Sequence, residues 1–312
     1  MEPGEGQMEN VESIDDGLLF RGLLAHGHTG ARRLGITESG ALQEAVMTAR
    51  LLVLLSIALS TTFGCSKPTT GMEVVARMTA AHGGLEKWRS APSVSFEAAL
   101  LPPGADSPLV HRVTVEQGPR RAYLDFPEMN ARISWDGEKA WSENWQGPFP
   151  PRFFALLSYY FMNLPWLAAD PGVNLSEPGT ARLWDDPTEY ITVKLTFEPG
   201  VGDTPDDYYI LYVDPNSYRL RAAELTVTYA DALPPDVDVM TEIIVYEDFA
   251  TLDGLTVPTK CSVYGKDRSL YASFPEVRDW SFSRPFDESR MVMPPNAVLD
   301  TSSAIRPTKT SE

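Results

Sequence analysis

From Ser93 onward, apolar residues fall at every second position in short runs broken by turn residues, and this alternation limits the fold more than any other feature. Tyr190 to Phe197 is the clearest run: Ile191, Val193, Leu195 and Phe197 alternate with Thr192, Lys194 and Thr196. A period of two places one set of side chains on one sheet face, so each run reads as a strand. Val94, Phe96, Ala98 and Leu100 form another such set, Val113 and Val115 a second, and Arg121 to Phe126 a third. Arg132 to Trp135 ends at Asp136-Gly137, a hairpin signal, and Lys139 to Trp145 follows with Trp141 and Trp145 expected on one face. Tyr208 to Val213, Leu220 to Tyr229, Met240 to Phe249, Leu255 to Tyr264 and Ser269 to Phe282 complete the set. Short connections between successive strands imply an antiparallel meander. The expectation is an α+β fold, mainly antiparallel: a large curved incomplete barrel of about ten or eleven strands. The 26 prolines suit many turns better than long helices.

Two helical segments interrupt the pattern. Thr70-Gly71-Met72-Glu73 reads as a capping box, followed by Val74, Val75, Met78 and Ala81 on one helix face. Gly83-Gly84 ends it, and Leu85, Lys87 and Trp88 make a short second turn. The second segment, Phe149 to Leu167, is apolar nearly all round. Prolines open it as at a first helical position, and Pro165 is expected to kink or end it. A helix apolar on every side is buried or in lipid. Arg152, Asn163 and Pro165 speak against a membrane span, which leaves a lid lying on the concave sheet face.

The front of the chain carries a different signal. Arg50 precedes the apolar run Leu51 to Leu59, and small residues with a cysteine follow, Ser60-Thr61-Thr62-Phe63-Gly64-Cys65. This is the order of a secretory signal, and the run is too short for a confident span. Such a signal belongs at a start, so Met47 is read as the initiator and residues 1–46 as a spurious or disordered extension; a genuine N-terminal extension is the alternative. Gly64-Cys65 resembles a bacterial lipobox cut before an acylated Cys65, with Thr62 standing where leucine is usual. Ordinary signal cleavage is the other reading. Acyl chains on Cys65, palmitate among them, would anchor the protein to a membrane, and Ser66 after the cysteine resembles the outer-membrane sorting choice. The divisions are then residues 47–64 as signal peptide, 65–70 as tether, 71–300 as the half-barrel domain and 301–312 as a flexible polar tail.

Several turn motifs carry a resemblance. Ala81-His82-Gly83-Gly84-Leu85-Glu86-Lys87-Trp88 before Val94-x-Phe96-x-Ala98 is similar to the opening of lipoproteins of the LolA/LolB-type periplasmic lipoprotein-carrier superfamily. Trp135-Asp136-Gly137 with Ala140-Trp141, Tyr212-Val213-Asp214-Pro215, and Asp253-Gly254-Leu255 with Val257-Pro258 resemble its later elements. The resemblance covers most of residues 71–300. It implies an incomplete barrel with a helical lid that holds acyl chains in an apolar groove. The family's functional arginine has no marked counterpart, since neither Arg121 nor Arg132 stands in a distinctive context.

The residues themselves permit that role. An acyl chain needs a dry concave wall with few polar groups. The sheet can supply Phe96, Ile133, Trp135, Trp141, Trp145, Ile191 and Val193, and the lid Phe153, Leu157, Tyr160, Phe161 and Leu164. The alternative is that these side chains fill a solid core. Catalysis finds little support: no G-x-S-x-G, H-E-x-x-H or Cys-x-x-Cys occurs. Among 4 histidines, His82 is expected as a cationic helix cap and His111 as a solvent-facing strand residue. Acid pairs at Asp185-Asp186, Asp206-Asp207 and Asp236-Val237-Asp238 lie beside prolines as turn carboxylates do, and their spacing matches no EF-hand. The 43 acidic against 26 basic residues, a net charge of −17, exclude a general nucleic-acid binder. Two cysteines build no disulfide framework, and Cys261 reads as a strand residue. No cofactor is expected. The leading expectation is a monomeric, lipid-anchored periplasmic protein of the bacterial envelope, not an enzyme, that binds a lipid or lipoprotein acyl chain. The alternatives are a packed module that binds another envelope protein, and a hydrolase using paired carboxylates.

Overall fold

A computed structural model describes residues 67–306. The signal segment with Met47, Gly64 and Cys65, and residues 307–312, lie outside the described residues. Helix α1 spans Gly71–Ala81 and buries Val74, Val75 and Met78. Its capping box closes one residue wider than expected. The Thr70 hydroxyl accepts from the Glu73 amide at 3.2 Å, but the Glu73 carboxylate reaches the amide of Thr69, at 2.6 Å. Helix α2, Leu85–Arg89, follows with Trp88 fully buried.

Strands β1 (Ser93–Leu101), β2 (Leu109–Glu116), β3 (Ala122–Phe126), β4 (Ala131–Trp135) and β5 (Ala140–Glu143) form the first antiparallel meander. Helix α3, Pro151–Leu167, then carries the chain to the far edge. There β6 (Val173–Leu175) and β7 (Gly179–Ala181) both pair with β8 (Tyr190–Phe197). A second meander runs back through β9 (Tyr209–Val213), β10 (Leu220–Val227), β11 (Met240–Leu252), β12 (Leu255–Gly265) and β13 (Leu270–Ser281). Strand β13 pairs with β1, so the two meanders fuse into one sheet, and β14 (Val298–Leu299) pairs with β5. Thirteen of the sheet's 14 strands run in the order β14-β5-β4-β3-β2-β1-β13-β12-β11-β10-β9-β8-β6, with β7 off this path on β8, and among the described residues no pairing closes it into a barrel. Fourteen exceeds the expected number because β6, β7 and β14 have only two or three residues each, too few to show a period. Register shifts interrupt the β1–β13 and β11–β12 ladders, and such bulges add local twist and bend to a sheet.

The core lies between the concave face and α3. Phe96, Ile133, Val193, Leu195, Phe154, Met162 and Trp166 all belong to one buried cluster. Trp88 and Trp166 stack with ring planes 4° apart, and the Trp88 indole donates to Asn163 at 2.9 Å. Pro165 does not end α3, which continues to Leu167. Proline lacks the N–H that would bond the carbonyl four residues earlier. That carbonyl, of Phe161, instead accepts from the Tyr246 hydroxyl of β11 at 2.7 Å. The sheet thus supplies the hydrogen bond that proline removes.

Four expectations are corrected. His111 does not face solvent: it is fully buried under α3, with Nε2 2.8 Å from the Ser158 hydroxyl and Nδ1 3.2 Å from the Leu109 carbonyl. His82 caps α1 but not as a cation. It is fully buried, its Nδ1 lies 2.8 Å from the Thr256 carbonyl, and Nε2 accepts from the Leu220 amide at 3.2 Å. An acceptor nitrogen has no proton, so the ring is the neutral tautomer, and burial pushes its pKa down to about 4. Trp141 and Trp145 part company, because Trp145 lies beyond β5 and packs on Phe126 and Phe154, whereas buried Trp141 is outside the main cluster. Residues 301–306 are not loose. Ala304 accepts from the Ala230 amide at 3.0 Å, and Arg306 donates to the carbonyls of Pro234, Pro235 and Val237 at 2.6–2.7 Å. Together with β14 this segment is a strap from the β5 edge to the loop after β10.

Candidate functional site

A cavity of about 390 Å³ lies between α3 and the second meander. That size falls within the range of about 300–1,000 Å³ usual for small-molecule sites. Helix α3 supplies one wall with Phe153, Leu156, Leu157, Tyr160, Phe161 and Leu164. The sheet supplies Leu195 and Phe197 from β8, Tyr209 from β9, and Leu225 and Val227 from β10. The helical wall follows from spacing, since residues three, four and seven apart share one face. The opposite side of α3, with Phe154, Tyr159 and Met162, is sealed in the core. The helix therefore divides the concave face into a filled half over β2–β5 and an unfilled half over β8–β10.

All five lid residues named from the sequence, Phe153, Leu157, Tyr160, Phe161 and Leu164, line this cavity. The named sheet residues lie elsewhere. Phe96, Ile133 and Val193 are buried in the core, and Trp145 and Ile191 pack against it. Trp141 is buried outside that cluster. Trp135 lines a second recess of about 260 Å³ on the other side of Arg152.

Charged groups stand at the cavity in matched pairs, with one exception. Arg120 is paired with Asp170. Arg152 pairs with Asp203 at 2.6 Å, and its guanidinium lies 3.7 Å above the Trp135 ring. Its Nε is buried without a hydrogen bond. Asp300 of the strap accepts from the Arg152 amide at 2.6 Å, a carboxylate at the helix N-terminus where the dipole favours it. The exception is Asp207, just before β9. Its side chain lines the cavity, the residue is 8% exposed, and its Oδ1 has no hydrogen bond. Burial raises the Asp207 pKa, and the hydroxyls of Thr204, Thr226 and Thr228 pull it the other way.

Register extends this polar spot across the sheet. Leu195, Tyr209, Leu225 and Glu242 follow one another on adjacent strands. Burial pushes the Glu242 carboxyl up to about 7. It also raises the Tyr209 phenol, and the nearby acids Asp207 and Glu242 add to that shift. Among the described residues neither Asp207 nor Glu242 forms an ion pair, and no three metal-ligating side chains gather. Cys261 is a buried free thiol whose pKa burial raises, so it is chemically quiet. Sequence reasoning missed Arg120, Asp170 and Asp207. Asp207 was visible only as one of a turn-like acid pair, and nothing local marks the member of such a pair that turns inward.

No protein-family model matches the chain, and no curated protein matches it in sequence. Among solved structures it is similar to a LolA superfamily protein from Nitrosomonas europaea, with 13% identity, a TM-score of 0.47, and 72% of this chain and 99% of that one covered. It is also similar to a putative outer membrane lipoprotein-sorting protein domain from Vibrio parahaemolyticus, at 9% identity and TM-score 0.43, covering 71% and 95%. A DUF1329 family protein from Desulfovibrio piger matches at 8% identity and TM-score 0.45, covering 72% and 98%.

Proposed function

We propose that this chain is a LolA/LolB-like envelope protein that holds the hydrocarbon chain of a lipid or lipoprotein in the cavity between α3 and β8–β10. The observation that carries the reading is the cavity itself, where an open sheet and a single helix leave about 390 Å³ walled mainly by Phe, Leu, Tyr and Val. Apolar surface of this kind gains about 25 cal/mol per Å² when a hydrocarbon displaces water from it. Binding is favoured over catalysis because two of the three cavity carboxylates, Asp170 and Asp203, are engaged by arginines. In this reading residues 47–64 export the chain to the periplasmic side of a bacterial envelope, and acylated Cys65 tethers it to the outer membrane.

Native mass spectrometry of protein released gently from membranes tests the binding reading. The expected spectrum shows one lipid per chain. Leu157→Glu, at a half-buried position on the cavity wall, is expected to fold normally and to lose that lipid. A lipid-free wild-type spectrum, together with failure to take up added dodecanol, refutes it. Mass measurement of the mature N-terminal peptide tests acylation of Cys65 separately.

A further inference from the structure

We propose that the amphiphile in this cavity carries a cationic nitrogen head group, received by the carboxylate of Asp207. The inference rests on the reading of the cavity as a hydrocarbon site and adds the chemical class of the ligand's polar end. Arg120 and Arg152 are each matched to a carboxylate of their own, Asp170 and Asp203. Once these pairs cancel, Asp207 is the one ionisable carboxyl on the cavity wall without an ion-pair partner among the described residues.

Its Oδ1 makes the argument chemical. A carboxyl oxygen at a residue only 8% exposed, with no hydrogen bond, is a group that buried structure seldom leaves unsatisfied. Three kinds of head group could meet it. An anionic head would face an unpaired acid, and the arginines that might welcome it are occupied. A hydroxyl head would satisfy the hydrogen bond but add only another neutral donor beside the hydroxyls of Thr204, Thr226 and Thr228, with no compensating cation. An ammonium head does both, in a charge-assisted bond. Glu242, two strands away from Tyr209 and likewise without an ion pair among the described residues, adds negative potential on the same side once it ionises above about pH 7. The phenol of Tyr209, two residues after Asp207 and near both acids, can accept a further N–H.

Three amphiphiles of equal chain length separate the possibilities: dodecylammonium, dodecanol and dodecanoate, each titrated into the full chain by calorimetry. Dodecylammonium is expected to bind about tenfold more tightly than dodecanol, and dodecanoate most weakly. Asp207→Asn keeps the side-chain shape and is expected to bring ammonium and alcohol within about twofold while dodecanol affinity stays unchanged. Glu86→Gln, a change at a fully solvated carboxylate, controls for general attraction to an acidic protein and is expected to leave the preference intact. Equal binding of ammonium and alcohol by the wild type overturns the inference and leaves the hydrocarbon reading standing, as does a preference that survives in Asp207→Asn. Failure of all three to bind overturns both. Should Asp207→Asn not fold, the wild-type ranking alone decides.

Discussion

The pH dependence of stability offers the sharpest test of how the interior is built, because two buried histidines and a half-buried carboxyl, Glu242, titrate in one window with opposite effect. His82 and His111 are fully buried, and each has its pKa pushed down by burial from 6.5 to about 4. Between those values the unfolded chain binds more protons than the fold, so the stability they represent is complete above about 6.5 and gone below about 4. Going from pH 8 to pH 5 removes about 2 kcal/mol per histidine, or about 4 kcal/mol together. Glu242 works the other way. Burial raises its pKa from 4.5 to about 7, so the fold binds the extra proton and gains about 2 kcal/mol over the same interval. The wild type should therefore lose only about 2 kcal/mol between pH 8 and pH 5, and Glu242→Gln should lose about 4 kcal/mol. Urea unfolding at the two pH values, followed by tryptophan fluorescence, reads both numbers. Glu242→Gln should also be the more stable protein at pH 8, since it has no buried charge to sustain. Parallel losses in the two proteins would refute the burial of Glu242, and a flat profile in Glu242→Gln would refute neutral, buried histidines.

Tyr246→Phe removes the donor that satisfies the Phe161 carbonyl opposite Pro165, and it should lower stability by about 1–3 kcal/mol, read from the urea midpoint. An unchanged midpoint would mean that the carbonyl has another partner. Gly83 has φ +99, and a Cβ there would run into the Gly254 carbonyl at the β11–β12 turn; Gly83→Ala should therefore cost at least about 1–3 kcal/mol by the same assay. Arg306→Ala removes the donor to three carbonyls of the loop after β10, so hydrogen exchange at residues 302–306 should speed up while the protection of β1 and β13 stays as it was.

The strands could be read from residues because their signal is local. Ile191, Val193, Leu195 and Phe197 alternate over one run, and the structure makes that run β8. The helical stripe Phe153, Leu157, Tyr160, Phe161 and Leu164 was equally open to inspection, and these five side chains share one wall of the cavity. What could not be read was long-range. His111 alternates like a solvent-facing residue, yet α3 comes down on that part of the sheet and buries it against Ser158. Ile191 and Val193 have the period of groove residues, but α1 and the core cover that stretch of β8 while Leu195 and Phe197 farther along it stay at the cavity. The strap was hidden because polar residues at a chain end look alike, whether free or hydrogen-bonded to a distant loop.

The position of the cavity follows from the way α3 divides its bulk. A helix about 10 Å across cannot cover both halves of a sheet this wide, so it must favour one. It favours β2–β5 because Phe154, fully buried, meets His111, Phe126 and Trp145 there within a ring-to-ring reach of 5.3–5.8 Å. Aromatic rings on both sides fill that half. On the other half the helix presents Leu157 and Leu164 toward Leu195, Phe197, Tyr209, Leu225 and Val227, and the cavity of about 390 Å³ lies among them. The Asp300 carboxylate on the Arg152 amide and the Tyr246 hydroxyl on the Phe161 carbonyl hold the helix in its first turn and in its second half. The space persists because the helix is anchored away from it.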